Sequence, residues 1–565
     1  MTHLPTRAFL VLCLLLPWLN PFAPPPSTSI WPLLLSWMLS ACALVLVADV
    51  PAPRWRASPR QWGWGVVLLL SVAISVVLVP EVNDRALTAG LVMALACVAA
   101  MAVVGYRLHA CTPSAWRLLA QVWLAAALIS CGLGLLQYLD LAHLAAPWVN
   151  QSAYGDAFAN LRQRNQFASL TSLGLVALLA LVCTERGEPT RWGRLWPWLA
   201  LQFLAMGAAA SSSRTGGVQW VVVVLFTLWW CTRRPGQRIR WQLALAAPLC
   251  VVLWSVVLPL LAQWWDPAGG AAQSLLGRVT GSSGDYAACA SRRVLWANAW
   301  ALAAARPWWG WGWGELDYAH FSTDYAGPRF CDLLDNAHNL PLHLAVELGW
   351  PLTLLLIGSV AVWLWRAAPW RAHHPAATLG WGAIGVLAIH SLLEYPLWYG
   401  PFQMTLGLAL GLLASQAASA RGTPPLASAQ GRTVPWLIMG SALFAAALYA
   451  AWDYQRVSQI YRPAAVRDAR YSDAPLAHAK ASWLFRNQAD FAELVTAPPV
   501  SVENAATLGP LAERLLHYSP EPRVVDRAIL ANRELGQKDR AERLVFQQRA
   551  MQNASSGAAS SPFER

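Results

Sequence analysis

Charge is scarce in this 565-residue chain: Asp, Glu, Lys and Arg together make up 12% of it, while 56% is hydrophobic. That balance excludes an ordinary soluble multidomain protein. Nucleotide-binding grammar is missing too, because Gly310-Trp-Gly-Trp-Gly314 has the wrong spacing and no strand–helix unit around it. No Asp-x-Asp pair or histidine cluster offers metal ligands, and Asp332 with Asp335 is too few. No Ser-His-Asp order stands out, so neither a metal nor any cofactor is expected. The net charge of +12 would suit nucleic acid, but the arginines fall between apolar runs, which is where membrane topology places them. No nucleic-acid partner is expected. The stretch from Arg7 through Leu19 resembles a secretory signal, yet only Pro21 and Pro24–Pro26 follow it, with no small-residue cleavage site. It reads as an uncleaved first span.

What the chain has instead is a repeated alternation of apolar runs and short polar breaks. A run of about 20 apolar residues crosses a hydrocarbon layer roughly 30 Å thick, and only helices satisfy the backbone there. The pattern predicts an all-α polytopic membrane protein with 13 spans. They fall near 8–23, 30–48, 62–79, 86–105, 117–136, 166–184, 195–211, 217–232, 242–261, 340–365, 376–394, 401–418 and 434–451. With the N-terminus in the cytoplasm, 17 arginines, Arg7 included, lie on the inner side, against four in the short outer loops: Arg85, Arg162, Arg164 and Arg214. That asymmetry predicts a bacterial inner-membrane protein whose C-terminal domain faces the periplasm.

Two outer segments are long. The expected organisation is a transmembrane domain over 1–451, with a large periplasmic loop at 262–339, then a periplasmic helical domain at 452–553 and a disordered tail at 554–565. Within the tail domain, Pro522–Met551 reads as a helical hairpin turning at Leu535-Gly536-Gln537, similar to one tetratricopeptide-like helix pair. Eight of the ten cysteines lie in or beside spans; the other two, Cys289 and Cys331, share the large loop. In an oxidising periplasm they are disulfide candidates, the alternative being two independent thiols. The 34 tryptophans read chiefly as interfacial anchors, with some in the loop available to stack on sugar rings.

Function must lie in the polar residues kept on the outer side. Arg162 and Arg164, in Asn160-Leu-Arg-Gln-Arg-Asn-Gln-Phe167, and Arg214, in Ser211-Ser-Ser-Arg-Thr-Gly216, oppose the charge bias at helix mouths. Guanidinium forks suit phosphate oxygens, although snorkelling to headgroups or pairing with Asp156 would also explain them. His338, in Asp332-Leu-Leu-Asp-Asn-Ala-His-Asn339, falls at the outer boundary, where a histidine can take a proton from a hydroxyl. Asn339, His343 and Glu347 continue a polar stripe, in which His343 reads as an interhelical hydrogen-bonding residue. His390 and Glu394 repeat the spacing in His390-Ser-Leu-Leu-Glu-Tyr-Pro-Leu-Trp-Tyr399.

These motifs, with the Arg292…Trp296…Pro307…Gly310-Trp-Gly-Trp-Gly314 pattern, resemble the O-antigen ligase and polymerase superfamily, in its protein O-oligosaccharyltransferase (PglL-type) branch. The likeness covers the whole membrane region. It implies an enzyme that moves a glycan from undecaprenyl pyrophosphate to Ser/Thr hydroxyls of periplasmic or pilin proteins, working in the bilayer without a metal. It further implies catalytic roles for His338, Tyr395 and Glu394. Arg162, Gln163, Arg164, Gln166, Arg214, Arg292, Asn339 and His390 are the expected pyrophosphate- and glycan-binding set. An O-antigen ligase acting on lipid A–core, or an O-antigen polymerase, would carry nearly the same motifs. A lipid-linked sugar flippase is the alternative from another class, but it would place charges at the midplane on broken helices in two related halves.

Overall fold

The computed structural model describes residues 4–50, 68, 70, 72–73, 84–182, 191–232, 238–266, 288–420 and 433–559. The third expected span, 62–79, lies almost wholly outside them. The first run of helices is α1 Leu4–Leu19, α2 Ile30–Leu46, α3 Arg85–Cys111, α4 Ala115–Tyr138, α5 Arg164–Val182, α6 Arg191–Ala210, α7 Arg214–Cys231 and α8 Arg238–Trp265. After them come α9 Arg292–Ala305, α10 Leu316–Ser322, α11 Leu340–Leu348, α12 Trp350–Ala367, α13 Pro375–Leu393, α14 Gly400–Ala420 and α15 Val434–Ser458. The tail holds α16 Pro475–Lys480, α17 Arg486–Thr496, α18 Ala505–Leu516, α19 Pro522–Glu534 and α20 Lys538–Ala559. No strand occurs among the described residues.

The protein is thus an all-α polytopic membrane chain. Among the described residues, seven helices are long and apolar enough to cross a bilayer (α3, α4, α5, α8, α12, α13 and α15), and α1 and α2 are shorter apolar helices. The expected number of 13 is not reached on length and composition, since α6, α7 and α14 are long enough but less apolar.

The chain divides into two compact units. The first, a helix bundle, gathers Met1–Arg56, Met93–Gly284 and Leu364–Leu448. Its buried helix is α5, where Ala168, Ser169, Thr171, Ser172, Ala177 and Ala180 are all sequestered. Small side chains let helices approach closely in lipid, where no hydrophobic drive pulls them together. On α7 the approach is so close that a Cβ on Gly216 would sit 2.6 Å from the Ala168 Cβ. At the far end of α7 the indoles of Trp229 and Trp230 donate to the carbonyls of Trp370 (2.9 Å) and Pro369 (3.0 Å). The arginine-bearing turn between α12 and α13 therefore lies at the opposite end of α7 from Arg214.

The second unit, a loop–tail body, comprises Ala57–Val92, Asp285–Trp363 and Tyr449–Arg565. A disulfide joins Cys289 to Cys331, with Cα atoms 5.4 Å apart. An apolar core of Leu295, Leu302, Leu316, Leu334, Ala345 and Val346 fixes α9, α10 and α11 together. Here the expectation of one continuous span over 340–365 is corrected. The helix stops at Leu348, Gly349 takes φ 80, and α12 starts at Trp350. The open end of α11 is satisfied from outside: Trp311 N donates to Val346 O (2.8 Å) and Gly312 N to Glu347 O (3.0 Å). A Cβ on Gly349 would lie 2.4 Å from the Trp308 carbonyl oxygen, so only glycine fits the break.

The tail shares its core with the loop. Phe321, from α10, is buried among Phe491, Leu508, Leu515, Val525, Ile529 and Leu544. His517 Nδ1 lies 2.7 Å from the buried Glu315 carboxylate, and its ring stacks on Tyr318 at 3.8 Å. At the tail's entry the buried Asp453, on α15, accepts from Ser482 Oγ and the Leu484 backbone, each at 2.9 Å. The helical hairpin appears as α19 and α20, and α20 runs to Ala559, into the stretch expected to be disordered. Residues 560–565 lie outside the described set.

Candidate functional site

The loop before α5 is shaped by two buried amides. Gln137 donates to the carbonyls of Asn150 (2.7 Å) and Ala159 (2.8 Å) while its oxygen accepts from the Phe158 and Ala159 backbones. Asn160 donates to Leu19 O (2.8 Å) and Trp148 O (2.9 Å), tying the loop to the end of α1. The backbone then turns through a left-handed Arg162 (φ 61) into α5. That turn decides the fate of the two motif arginines. Arg162 points its guanidinium at the carbonyls of Pro21 (2.6 Å) and Asn160 (3.2 Å), and burial lowers its pKa. Its fork, expected to face phosphate, here holds backbone carbonyls. Arg164 sits 3.3 Å from the Asp156 carboxylate, with both side chains about a quarter exposed or less.

Glu394 is where separated motifs converge. It is buried, follows α13, and donates its backbone N–H to the His390 carbonyl at 2.7 Å. Its carboxylate accepts from Asn165 Nδ2 (2.9 Å) and Gln163 Nε2 (3.4 Å). Asn165 Oδ1 in turn accepts from Ser213 Oγ at 2.7 Å. Ser213 caps α7 by accepting from the Gly216 backbone at 3.1 Å, and Arg214 stands exposed in the first helical turn beside it. Tyr395 follows, half-buried, its ring stacked on Tyr399 with centroids 5.9 Å apart. The outer motifs of α5, α7 and α13 thus share one end of the bundle.

One turn deeper lies a closed polar core. His390 is fully buried, its Nδ1 2.8 Å from Ser169 Oγ, and Gln219 links Ser169, Ser172 (3.0 Å) and the Val386 carbonyl (3.1 Å). Gln166 is buried as well. Both His390 and Gln166, expected among the glycan-binding residues, are thus buried inside the bundle. The sequence reading missed Asn165, Ser169, Ser213 and Gln219. Asn165 lay within a motif already singled out, and Ser213 beside Arg214; only long-range pairing marks either.

In the loop–tail body His338 takes a left-handed backbone (φ 48) and is half-buried. The Asn336 side chain accepts from its backbone N–H at 2.8 Å, and the Trp296 indole donates to the Ala337 carbonyl at 3.1 Å. Trp296 stands one turn after Arg292, which opens α9 behind the Ser291 cap. Asn339 caps α11 by accepting from Leu342 N at 3.1 Å, so its side chain serves the helix start. His343 and Glu347 are buried within α11, 3.5 Å apart. A second loop histidine shows the contrast. His320 is buried, held by Tyr325 OH (2.8 Å) and the Phe330 carbonyl (3.2 Å), and burial with Arg329 nearby takes its pKa down to about 3. It is a structural residue, whereas His338 is accessible.

Buried polar wiring thus sits at one end of an apolar multi-pass bundle, with the exposed Arg214 beside it. Three family likenesses tile the chain. Residues 157–182 match the protein glycosylation ligase family, 199–357 the O-antigen ligase family, and 378–560 the C-terminal region of virulence-factor membrane-bound polymerases. A general O-oligosaccharyltransferase of Acinetobacter baylyi is 26% identical over 435 residues, covering 72% of this chain and 70% of the relative. The chain resembles the O-antigen ligase family in its PglL-type branch, and it is a glycosyltransferase of the oligosaccharyltransferase kind.

Proposed function

We propose that this protein transfers an oligosaccharide en bloc from undecaprenyl pyrophosphate to Ser/Thr hydroxyls of periplasmic or pilin proteins. One observation carries the reading: Arg214 stands exposed at the N-terminus of α7, next to the Glu394 cluster, at the end of the bundle opposite the arginine-bearing Pro369–Arg371 turn. A helix N-terminus and a guanidinium both favour phosphate oxygens. By the topology of inner-loop arginines, that end faces the periplasm.

In the reaction the acceptor hydroxyl oxygen attacks the anomeric carbon, and the bond from that carbon to the pyrophosphate oxygen breaks. The hydroxyl proton passes to His338, and polyprenyl pyrophosphate leaves with its developing charge stabilised by Arg214, Arg164 and Arg292. A single displacement inverts the anomeric centre. Glu394 and Tyr395 orient the acceptor, while Gln163 holds the Glu394 carboxylate.

The O-antigen ligase match over 199–357 favours a second reading, in which the acceptor is lipid A–core. Reconstituting the purified protein in liposomes with polyprenyl pyrophosphate-linked oligosaccharide, a serine-containing pilin peptide and a chelator separates the two. A glycosylated peptide in the mass spectrum is the expected result. Transfer to lipid A–core alone would replace the protein acceptor with the second reading, and transfer to neither would end both.

A further inference from the structure

The pairings across α5 and α13 run in register. Asn165 meets Glu394, and four residues further along α5 Ser169 meets His390, four residues back along α13. The two helices are therefore antiparallel here, and Asn165 closes the outer rung. It also reaches a third element. An unbroken chain of donors runs from the Gly216 N–H to Ser213 Oγ, from the Ser213 hydroxyl to Asn165 Oδ1, and from Asn165 Nδ2 to the Glu394 carboxylate. A carboxamide is suited to the central place, since it accepts on one side and donates on the other. Leucine can do neither, and an aspartate would face Glu394 with like charge. The contact of Gly216 with Ala168, one turn along from Asn165, keeps α7 too close to α5 for any slack.

We infer that Asn165 is a positioning residue of the transfer site, holding the Glu394 carboxylate and the Arg214-bearing start of α7 in one fixed relation. The inference rests on the function proposed above and adds a residue to it. Charged residues neighbour this joint in sequence: Arg162 and Arg164 on either side of Gln163, and Arg214 after Ser213. A neutral bridge between Glu394 and Ser213 lets those charges act on ligand rather than on each other.

The test uses the full-length protein in proteoliposomes, with polyprenyl pyrophosphate-linked oligosaccharide as donor and a serine-containing peptide as acceptor. Asn165→Asp should lower kcat about 100-fold, the scale of a misplacement near 1 Å, and Asn165→Leu about tenfold. Ser213→Ala, which breaks only the α7 side, should cost less than either. KM for the donor should stay within about threefold of wild type throughout, because the loss falls on the reacting geometry. A packing role predicts the reverse ranking, since Asp is the closest in shape to Asn. Wild-type kcat in Asn165→Asp, or a Leu variant slower than the Asp variant, would overturn the inference. Should the Leu variant fail to insert, the Asp and Ser213 variants still decide. Glu394→Gln and Arg214→Ala tell the two levels apart. If both retain full transfer, the proposed site itself falls. If both lose it while Asn165→Asp does not, only the role of Asn165 falls.

Discussion

The helix bundle and the loop–tail body solve the problem of holding polar groups in opposite ways. In the bundle, Glu394 and His390 are fixed by neutral partners, namely Asn165, Gln163, Ser169 and Gln219, on helices packed through small residues. In the loop–tail body the devices are those of a water-soluble domain: an apolar core around Phe321, a disulfide, and the Glu315–His517 pair. The difference follows from the surroundings. Lipid gives helices no hydrophobic reason to associate, so hydrogen bonds and close packing must fix geometry. Water outside lets a conventional core form. Each half should therefore fail to a different insult.

The largest effect should come from His338→Ala, which removes the proposed base from the loop–tail body while sparing the bundle. Transfer should fall by about two to four orders of magnitude with unchanged membrane insertion. Near wild-type turnover would leave the arginines of the bundle as the only defensible chemistry.

Next is the disulfide. Breaking the Cys289–Cys331 bond by Cys→Ser at both positions opens a closure of 42 residues, worth about 4 kcal/mol on loop entropy. Limited proteolysis should cut the variant's loop, while the bundle stays intact. Equal sensitivity of both regions would erase the contrast between them.

Arg214→Ala should lower transfer about 10- to 100-fold through weaker handling of the pyrophosphate, a loss measured by single-turnover kinetics. Arg371→Ala, at the opposite end of the bundle, should leave turnover as it was. A matching loss there would contradict the placement of the reaction at one end.

The smallest effect concerns pH. Asp317 is buried in the loop–tail body, and burial, with Glu315 adding repulsion, raises its pKa well above the usual carboxylate range. A raised folded-state pKa gives stability that is full below about pH 4 and lost as pH rises through the folded value. Asp317→Asn should keep the bond from the Tyr318 backbone without that penalty. Its thermal midpoint should exceed wild type at neutral pH, and the gap should close on acidification. A gap that widens in acid would refute the assignment.

Much of the bundle was legible because apolar length and arginine bias are local properties, and α5, α8 and α13 fall where they indicate. The motif residues were legible too, since charge at a helix mouth stands out. What escaped was pairing at long range. Nothing local to Arg162 says that the Pro21 carbonyl, 141 residues away, receives its guanidinium. Nothing local to Asn165 reveals Glu394, 229 residues on. The break at Gly349 was partly readable: Gly349-Trp-Pro351 places a glycine just past one helix and a proline in the first turn of the next. The apolar residues on both sides concealed that punctuation.

The burial of Phe321 among tail residues has a consequence for anyone recombining this enzyme with its relatives. A chimaera joined at residue 451 would bring a foreign tail to a loop that presents Phe321, Tyr318 and the Glu315 carboxylate as half of someone else's interface. The tail alone is then not a transplantable unit. The inheritable module is discontinuous in sequence, and exchanging Ala57–Val92, Asp285–Trp363 and Tyr449–Arg565 together is the graft that keeps it whole.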